Sequence, residues 1–226
     1  MHNGVIGLPD YKSPYELYKK SLNPKYDYYK KDGSKLKKID LDIIKNLPLD
    51  EKYYQRYGYS SNCVQYRTDK ESINVIMSDD NVQLSKNEIN SPYTIIETYS
   101  LKTKSLIVEV KRFSNCNIGI SKEYDEKGSL IKETDWNRDF QFSIESLIEK
   151  MKKEFDVDIL AEEEMSVDRF FDPDIRQSFY EVMSGSEMYE YFLLDGNTGE
   201  LLFRKYIEEG EKSPYEQYVK SLNKQK

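Results

Sequence analysis

Residues 189–206 read YEYFLLDGNTGELLFRKY. Aromatic and aliphatic runs flank Asp195, Gly196, Asn197 and Gly199, residues suited to the positive φ angles and side-chain-to-backbone hydrogen bonds of a tight turn. Strand formers on both sides of such a turn predict a β-hairpin. The same pattern recurs upstream. YKKDGSKLKKID, from Tyr29, and YDEKGSLIKETD, from Tyr124, share a leading Tyr, a Gly-Ser turn, an aliphatic residue at Leu36 or Ile131 and a closing Asp at Asp40 or Asp135. Both are predicted hairpins. CVQYRT, INVIM, YTIIETY and SLIVEVKRF, from Cys63, Ile73, Tyr93 and Ser105, are predicted strands between polar or Pro-containing turns. In the last, Leu106, Val108 and Val110 alternate with Ile107, Glu109 and Lys111, as in a half-buried strand.

Helices are fewer. Residues 41–47 predict a short one, ended near Pro48. Residues 143–155 predict the clearest: Ile144, Leu147, Ile148, Met151 and Phe155 form one apolar stripe, with Ser143 as N-cap. Residues 175–180 predict a turn running into a strand near Phe179. The fold class is therefore α+β, an antiparallel sheet built from β-hairpins with a few packed helices. The absence of regular strand–helix alternation argues against a doubly wound sheet. A soft boundary near Asp135 to Asp139 separates a strand-rich part, residues 1–135, from a helix-plus-hairpin module, residues 136–226.

Each part carries a short helix at its outer end. KSPYELYKKSLN, residues 12–23, and KSPYEQYVKSLN, residues 212–223, are identical at ten of twelve positions. Ser13 and Ser213 suit an N-cap, Pro14 and Pro214 the first turn, and Glu16 and Glu216 complete a capping box. Tyr15, Tyr18 and Leu22 share one helical face, as do Tyr215, Tyr218 and Leu222. Helices of about two and a half turns do not persist in isolation, so both faces are expected to be buried. Either the two copies dock in equivalent grooves, or the chain is one unit of a tandem array.

A chain of 226 residues is long enough for one large domain or two small ones. Its 20 Tyr and 9 Phe exclude a disordered chain. No apolar run reaches about 18 residues, so no membrane insertion is expected. The first residues lack a secretory signal, which makes the cytoplasm the default compartment, with the periplasm or cell surface open if a signal has been removed. His2 is the single histidine, and its terminal position argues against a Ser-His-Asp or Cys-His site. Cys63 and Cys116 form no CxxC pair and are expected to be buried free thiols. Neither GxGxxG, P-loop nor HExxH occurs, so no cofactor, metal or catalytic residue is assigned. Trp136, at the junction, is expected to fill the core or the space between the two parts.

Net charge is −7 and unevenly placed. Nine Lys face three acids between Lys12 and Lys38, while nine acids face Arg169 alone between Glu154 and Asp174. Basic and aromatic residues mingle in the first stretch, but the chain's overall acidity counts against nucleic acid as a partner. In the second, Glu162, Glu163, Glu164, Asp168, Asp172 and Asp174 are read as an acidic loop, the expected contact set for a basic protein partner. Their spacing does not match an EF-hand. Paired carboxylates would also suit a hydrolase, and the duplicated element a self-assembling structural module. The high Tyr content fits a protein-binding surface.

EYDEKGSLIKETDWNRDFQFSIESLIEKMKKEFDVDI, from Glu123, followed by FYEVMSGSEMYEYFLLDGNTGELLFRK, from Phe179, resembles small proteins encoded beside secreted toxins in Bacteroidetes-type bacteria. The helix, strands and LDGNTGELL hairpin also look like a PepSY-type module. The resemblance covers residues 123–207. It implies an immunity or inhibitor protein that binds one cognate toxin without catalysis, and it carries over no functional residue.

Overall fold

Each strand pairs with its neighbour in sequence, and every pairing is antiparallel. The computed structural model describes residues 29–31, 37–58, 62–161, 165–185, 189–208, 211 and 213–223. A small ribbon, β1 (Tyr29–Lys31) and β2 (Lys37–Ile39), leads into α1 (Leu41–Lys45) and α2 (Glu51–Tyr57). A seven-stranded meander follows: β3 (Cys63–Arg67), β4 (Glu71–Met77), β5 (Asn81–Glu88), β6 (Tyr93–Ser100), β7 (Leu106–Phe113), β8 (Cys116–Tyr124) and β9 (Leu130–Asp135). Then come α3 (Ile144–Phe155), a four-stranded meander of β10 (Met165–Asp172), β11 (Gln177–Ser184), β12 (Tyr189–Asp195) and β13 (Leu201–Ile207), and α4 (Pro214–Asn223). The protein is thus α+β with sheet dominant. The three predicted hairpins form as β1–β2, β8–β9 and β12–β13.

One face of the seven-stranded sheet is covered. At one end Ile39 of β2, Ile44 of α1 and Leu47 just after it close over Tyr66, Ile73, Val75, Val82, Leu84, Tyr99 and Leu106. At the other end Tyr93, Phe113 and Cys116 join α3, through Ile144, Leu147 and Met151, and the four-stranded sheet, through Val167, Tyr180, Val182, Phe192 and Leu194. A register shift where Tyr99 meets Leu106 sets which side of β7 is covered. Because a bulge flips the side-chain alternation, Glu109, Lys111 and Phe113 share the covered face with Tyr93, Ile95 and Glu97, and Val108 and Val110 turn outward. The expectation from simple alternation along β7 is corrected accordingly.

A polar belt separates the two apolar regions. Lys86 on β5 donates to Glu97 on β6 at 2.5 Å, with both side chains 2% exposed. Lys37 reaches from β2 to bond Glu97 and lies 3.8 Å from Glu109. It thereby bridges Glu97 and Glu109, like charges directly opposite each other in the ladder. Burial pushes the Glu97 carboxyl up, but Lys86 and Lys37 outweigh that and hold its pKa at about 2. Burial lowers the Lys86 pKa by more than Glu97 restores.

α3 starts at Ser143, whose hydroxyl accepts from Ser146 N at 3.1 Å, and ends at Asp156 in the left-handed region, φ 59°. It is placed by the β12–β13 turn. Gly196 N donates to Ser178 O at 2.7 Å, and Gly196 O accepts from Phe142 N at 3.1 Å. Gly199, at φ +71°, lies against the Phe142 ring so closely that a Cβ would sit 2.5 Å from it. β11 and β12 are buried on both faces, which explains the unbroken apolar run of residues 191–194. On the face away from α3, α4 lays Tyr215, Tyr218, Val219 and Leu222 over Phe170, Phe179, Leu193 and Phe203. The expected Tyr–Tyr–Leu face of α4, Tyr215, Tyr218 and Leu222, is therefore packed against the sheet. The copy at residues 12–23 lies outside the described residues.

Candidate functional site

The free face of the seven-stranded sheet is crossed by three rows of side chains. They are Arg67–Ser72–Asn87–Thr94–Arg112–Asn117, Gln65–Asn74–Ser85–Ile96–Val110 and Cys63–Ile76–Gln83–Thr98–Val108–Glu123. β4, β5 and β6 contribute no charge to this face, in a chain whose residues are 33% charged. Charge is confined to the margins, at Arg67, Arg112, Glu123 and Lys132. The ordinary arrangement is inverted: Lys86, Glu97, Glu109 and Lys111 lie on the covered side, and uncharged amides, hydroxyls and aliphatics on the free one. None of Ile76, Ile96, Val108 or Val110 belongs to a buried apolar cluster.

Lateral hydrogen bonds tie these side chains together. Asn74 Nδ2 donates to Gln65 Oε1 at 2.9 Å and to Cys63 Sγ at 3.2 Å, and Gln65 Nε2 donates to Ser72 Oγ at 2.5 Å. Side chains fixed before contact lose less entropy on binding. The β3 edge is closed by residues 48–50: Arg67 N donates to Pro48 O at 3.0 Å and Asp50 N to Gln65 O at 2.9 Å. At the opposite margin β9 shows Leu130 at 49% and Ile131 at 63% exposure.

Beyond Arg112 and Asn117 the face runs into a cleft of about 570 Å³ between the two sheets, lined by Trp136, Arg138, Phe140, Arg169 and Phe171 among others. Trp136 is 39% exposed and its Nε1 donates to Ser121 Oγ at 3.0 Å, so of the two places expected for it, it lies between the two parts, as a wall of the cleft, and not in the core. Arg169 stacks on the Phe140 ring, 4.6 Å from its centroid, and donates to Asn117 O and Asn137 Oδ1. Arg112 Nη2 donates to Asn115 O at 2.9 Å. Cys116, at the cleft floor, donates to Val167 O at 3.1 Å, and burial pushes its thiol up to about 12. It is the buried thiol expected, whereas Cys63 is half-buried. Among the described residues no group of three His, Cys, Asp or Glu is placed to hold a metal, and no helix is long and apolar enough to cross a membrane.

No family matches. Compared with protein-family models, with curated proteins and with solved structures, the chain resembles none at a significant level.

The acidic set does not form one loop. Residues 165–172 are strand β10, whose alternating Val167 and Phe170 serve opposite faces of the sheet, each within an apolar cluster. Interleaved charge hid that pattern. Asp168 accepts from Asn115 Nδ2 at 3.1 Å, at the cleft's rim. Asp172 accepts from Asp174 N, Ile175 N and the Tyr215 hydroxyl, which holds its carboxyl below the usual range. Its role is to fix the β10–β11 turn and α4. Asp174 is exposed in that turn. Glu162, Glu163 and Glu164 lie outside the described residues. The structure pairs Asp168 with Glu181 across β10 and β11. Burial raises the Glu181 carboxyl, although the Tyr191 hydroxyl donating to it works the other way.

The uncharged face itself went unread in the sequence. Its centre lies on β4 and β5, where Ser72, Asn74, Gln83, Ser85 and Asn87 resemble turn residues. The available signal was the alternation of Val82, Leu84 and Lys86 with Gln83, Ser85 and Asn87.

Proposed function

We propose that this is a non-catalytic binding protein of the immunity or inhibitor kind, neutralising a secreted bacterial toxin by direct contact. The contact surface is the uncharged face of the seven-stranded sheet, continued into the Trp136 cleft. The observation that carries the reading is the exclusion of charge from β4, β5 and β6 on that face. Cores of protein interfaces are depleted in charge and enriched in aromatic residues and Arg, and the cleft supplies the latter as Trp136, Phe171, Arg112 and Arg138. Overall charge of −7 favours a basic partner. Glu162, Glu163, Glu164, Asp168 and Asp174 then act in steering, with Asp172 committed to the turn.

The test is co-purification with the C-terminal domain of a toxin encoded beside this gene, followed by titration. Ser85→Arg with Ile96→Glu is expected to weaken binding at least 100-fold with an unchanged melting temperature. Charge reversal at Glu162, Glu163 and Glu164 is expected to slow association and leave dissociation unaltered. Full affinity in the Ser85→Arg, Ile96→Glu variant would remove the sheet face from the reading.

A further inference from the structure

The groove beneath α4 has a second ligand within the same sequence. Tyr215 meets Phe170 edge to face at 4.8 Å and Phe179 at 5.4 Å; Tyr218 meets Phe179 at 6.1 Å and Phe203 at 6.4 Å. The Tyr215 hydroxyl donates to Asp172. Residues 12–23 repeat each of these groups: Tyr15 for Tyr215, Tyr18 for Tyr218 and Leu22 for Leu222, behind the same Ser-Pro-x-Glu start. The two differences fall at Leu17 for Gln217 and Lys19 for Val219. Val219 is only half-buried, and a lysine stem covers apolar surface while its ammonium stays in water. The groove is acidic around its tyrosines: Asp172 and Glu181 act on Tyr215, and Asp195 and Glu200 on Tyr218. The extra positive charge of Lys19 suits that field.

We propose that residues 12–23 of a second copy of this chain dock in the groove that α4 occupies, exchanging with it. Reach decides between the same chain and another. Residues 23 and 29 are at most about 20 Å apart along a fully extended chain. β1 pairs with β2, which lies against Lys104 and Ser105. From there the path to the outer face of the four-stranded sheet runs the length of β6, roughly 20 Å, and then through packed layers about 10 Å apart. A tether of about 20 Å is shorter than that path, so the groove the repeat can reach is that of a second copy. Contacts in the two bound states are nearly the same, so the tethered α4 prevails at low concentration through its effective molarity. Exchange grows with chain concentration or when α4 is weakened.

The test uses four full-length proteins: wild type, Tyr15→Ala/Tyr18→Ala, Tyr215→Ala/Tyr218→Ala, and the quadruple variant. Tyr215→Ala/Tyr218→Ala is expected to show masses above the 26.8 kDa monomer in sedimentation at high concentration, with the quadruple variant returning to monomer. Identical masses for these two proteins would overturn the proposal. So would a monomeric Tyr215→Ala/Tyr218→Ala protein that loses further stability on adding Tyr15→Ala/Tyr18→Ala, since that places the segment in its own groove. A second variant guards against misfolding. Gln217→Leu with Val219→Lys turns α4 into the sequence of residues 14–23. Hydrogen-exchange protection of α4 within tenfold of wild type supports the exchange, and loss of protection shows that the first copy cannot seat.

Discussion

Replacing Glu97 by Gln removes the charge at the centre of the polar belt while keeping its size. Lys86 is then buried beside a neutral amide, and Lys37 keeps Glu109, at 3.8 Å. Two routes give the magnitude. Removing one partner of a buried ion pair costs about 3–5 kcal/mol. Independently, a carboxyl held at about 2 against an ordinary value of 4.5 contributes about 3 kcal/mol at neutral pH, at about 1.4 kcal/mol per pH unit. The sign follows from the direction of the shift. A depressed carboxyl stabilises the fold fully above its ordinary pKa and loses that contribution as pH falls through 4.5 towards 2. Urea unfolding at pH 7, followed by circular dichroism, should show Glu97→Gln less stable by about 3 kcal/mol. Repeated between pH 5 and 2, the wild type should lose stability more steeply than the variant. Combining Lys86→Met with Glu97→Leu should recover most of the loss, since apolar residues of similar volume replace buried pairs at little cost. A loss below about 1 kcal/mol at pH 7, or parallel acid slopes, would refute the reasoning.

Three other substitutions probe the rest of the frame. Tyr218→Ala, in the α4 groove, is expected to cost about 3 kcal/mol and to expose the amides of α4 to exchange before those of β11 and β12. Gly199→Ala combines a positive φ with a clash against Phe142 and should lower stability by about 2 kcal/mol, read as a fall in the urea midpoint at unchanged slope. Glu181→Gln keeps an acceptor for the Tyr191 hydroxyl and removes a buried charge. Because the Glu181 carboxyl is raised, its penalty is absent below the ordinary carboxylate range and complete above its raised value. The variant should therefore gain on wild type at pH 7 and match it near pH 4 in thermal unfolding.

The sequence revealed elements whose pattern is local. The Asp195–Gly199 turn, the Ser143 cap with its apolar stripe, and the Tyr–Tyr–Leu face of residues 212–223 are set by neighbours a few positions away, and each took the expected form. What depends on register stayed hidden. One bulge at Tyr99 exchanges the faces of β7, so Val108 and Val110 became surface while Glu109 and Lys111 became covered. The polar belt needs Lys37, Lys86 and Glu97 from three strands, and no spacing in the chain announces their meeting. β10 reads as a loop in the sequence because acids alternate with the apolar residues it sends to both faces. The candidate site was the least legible part, since its defining property is what β4, β5 and β6 omit.

Sheet topology has a consequence for how the molecule assembles. Every strand follows its partner, so strand pairing closes only short loops, each of small entropic cost. Much longer closures come from contacts outside the strand pairs: Ile39 N to Lys104 O, Lys37 to Glu97 across 60 residues and Cys116 to Val167 across 51. Each meander can therefore order by itself, and the late, entropically expensive event is the docking of one upon the other. The uncharged face needs β3 to β8 alone, whereas the Trp136 cleft exists only after docking. In folding order the broad contact surface precedes the cleft that completes it.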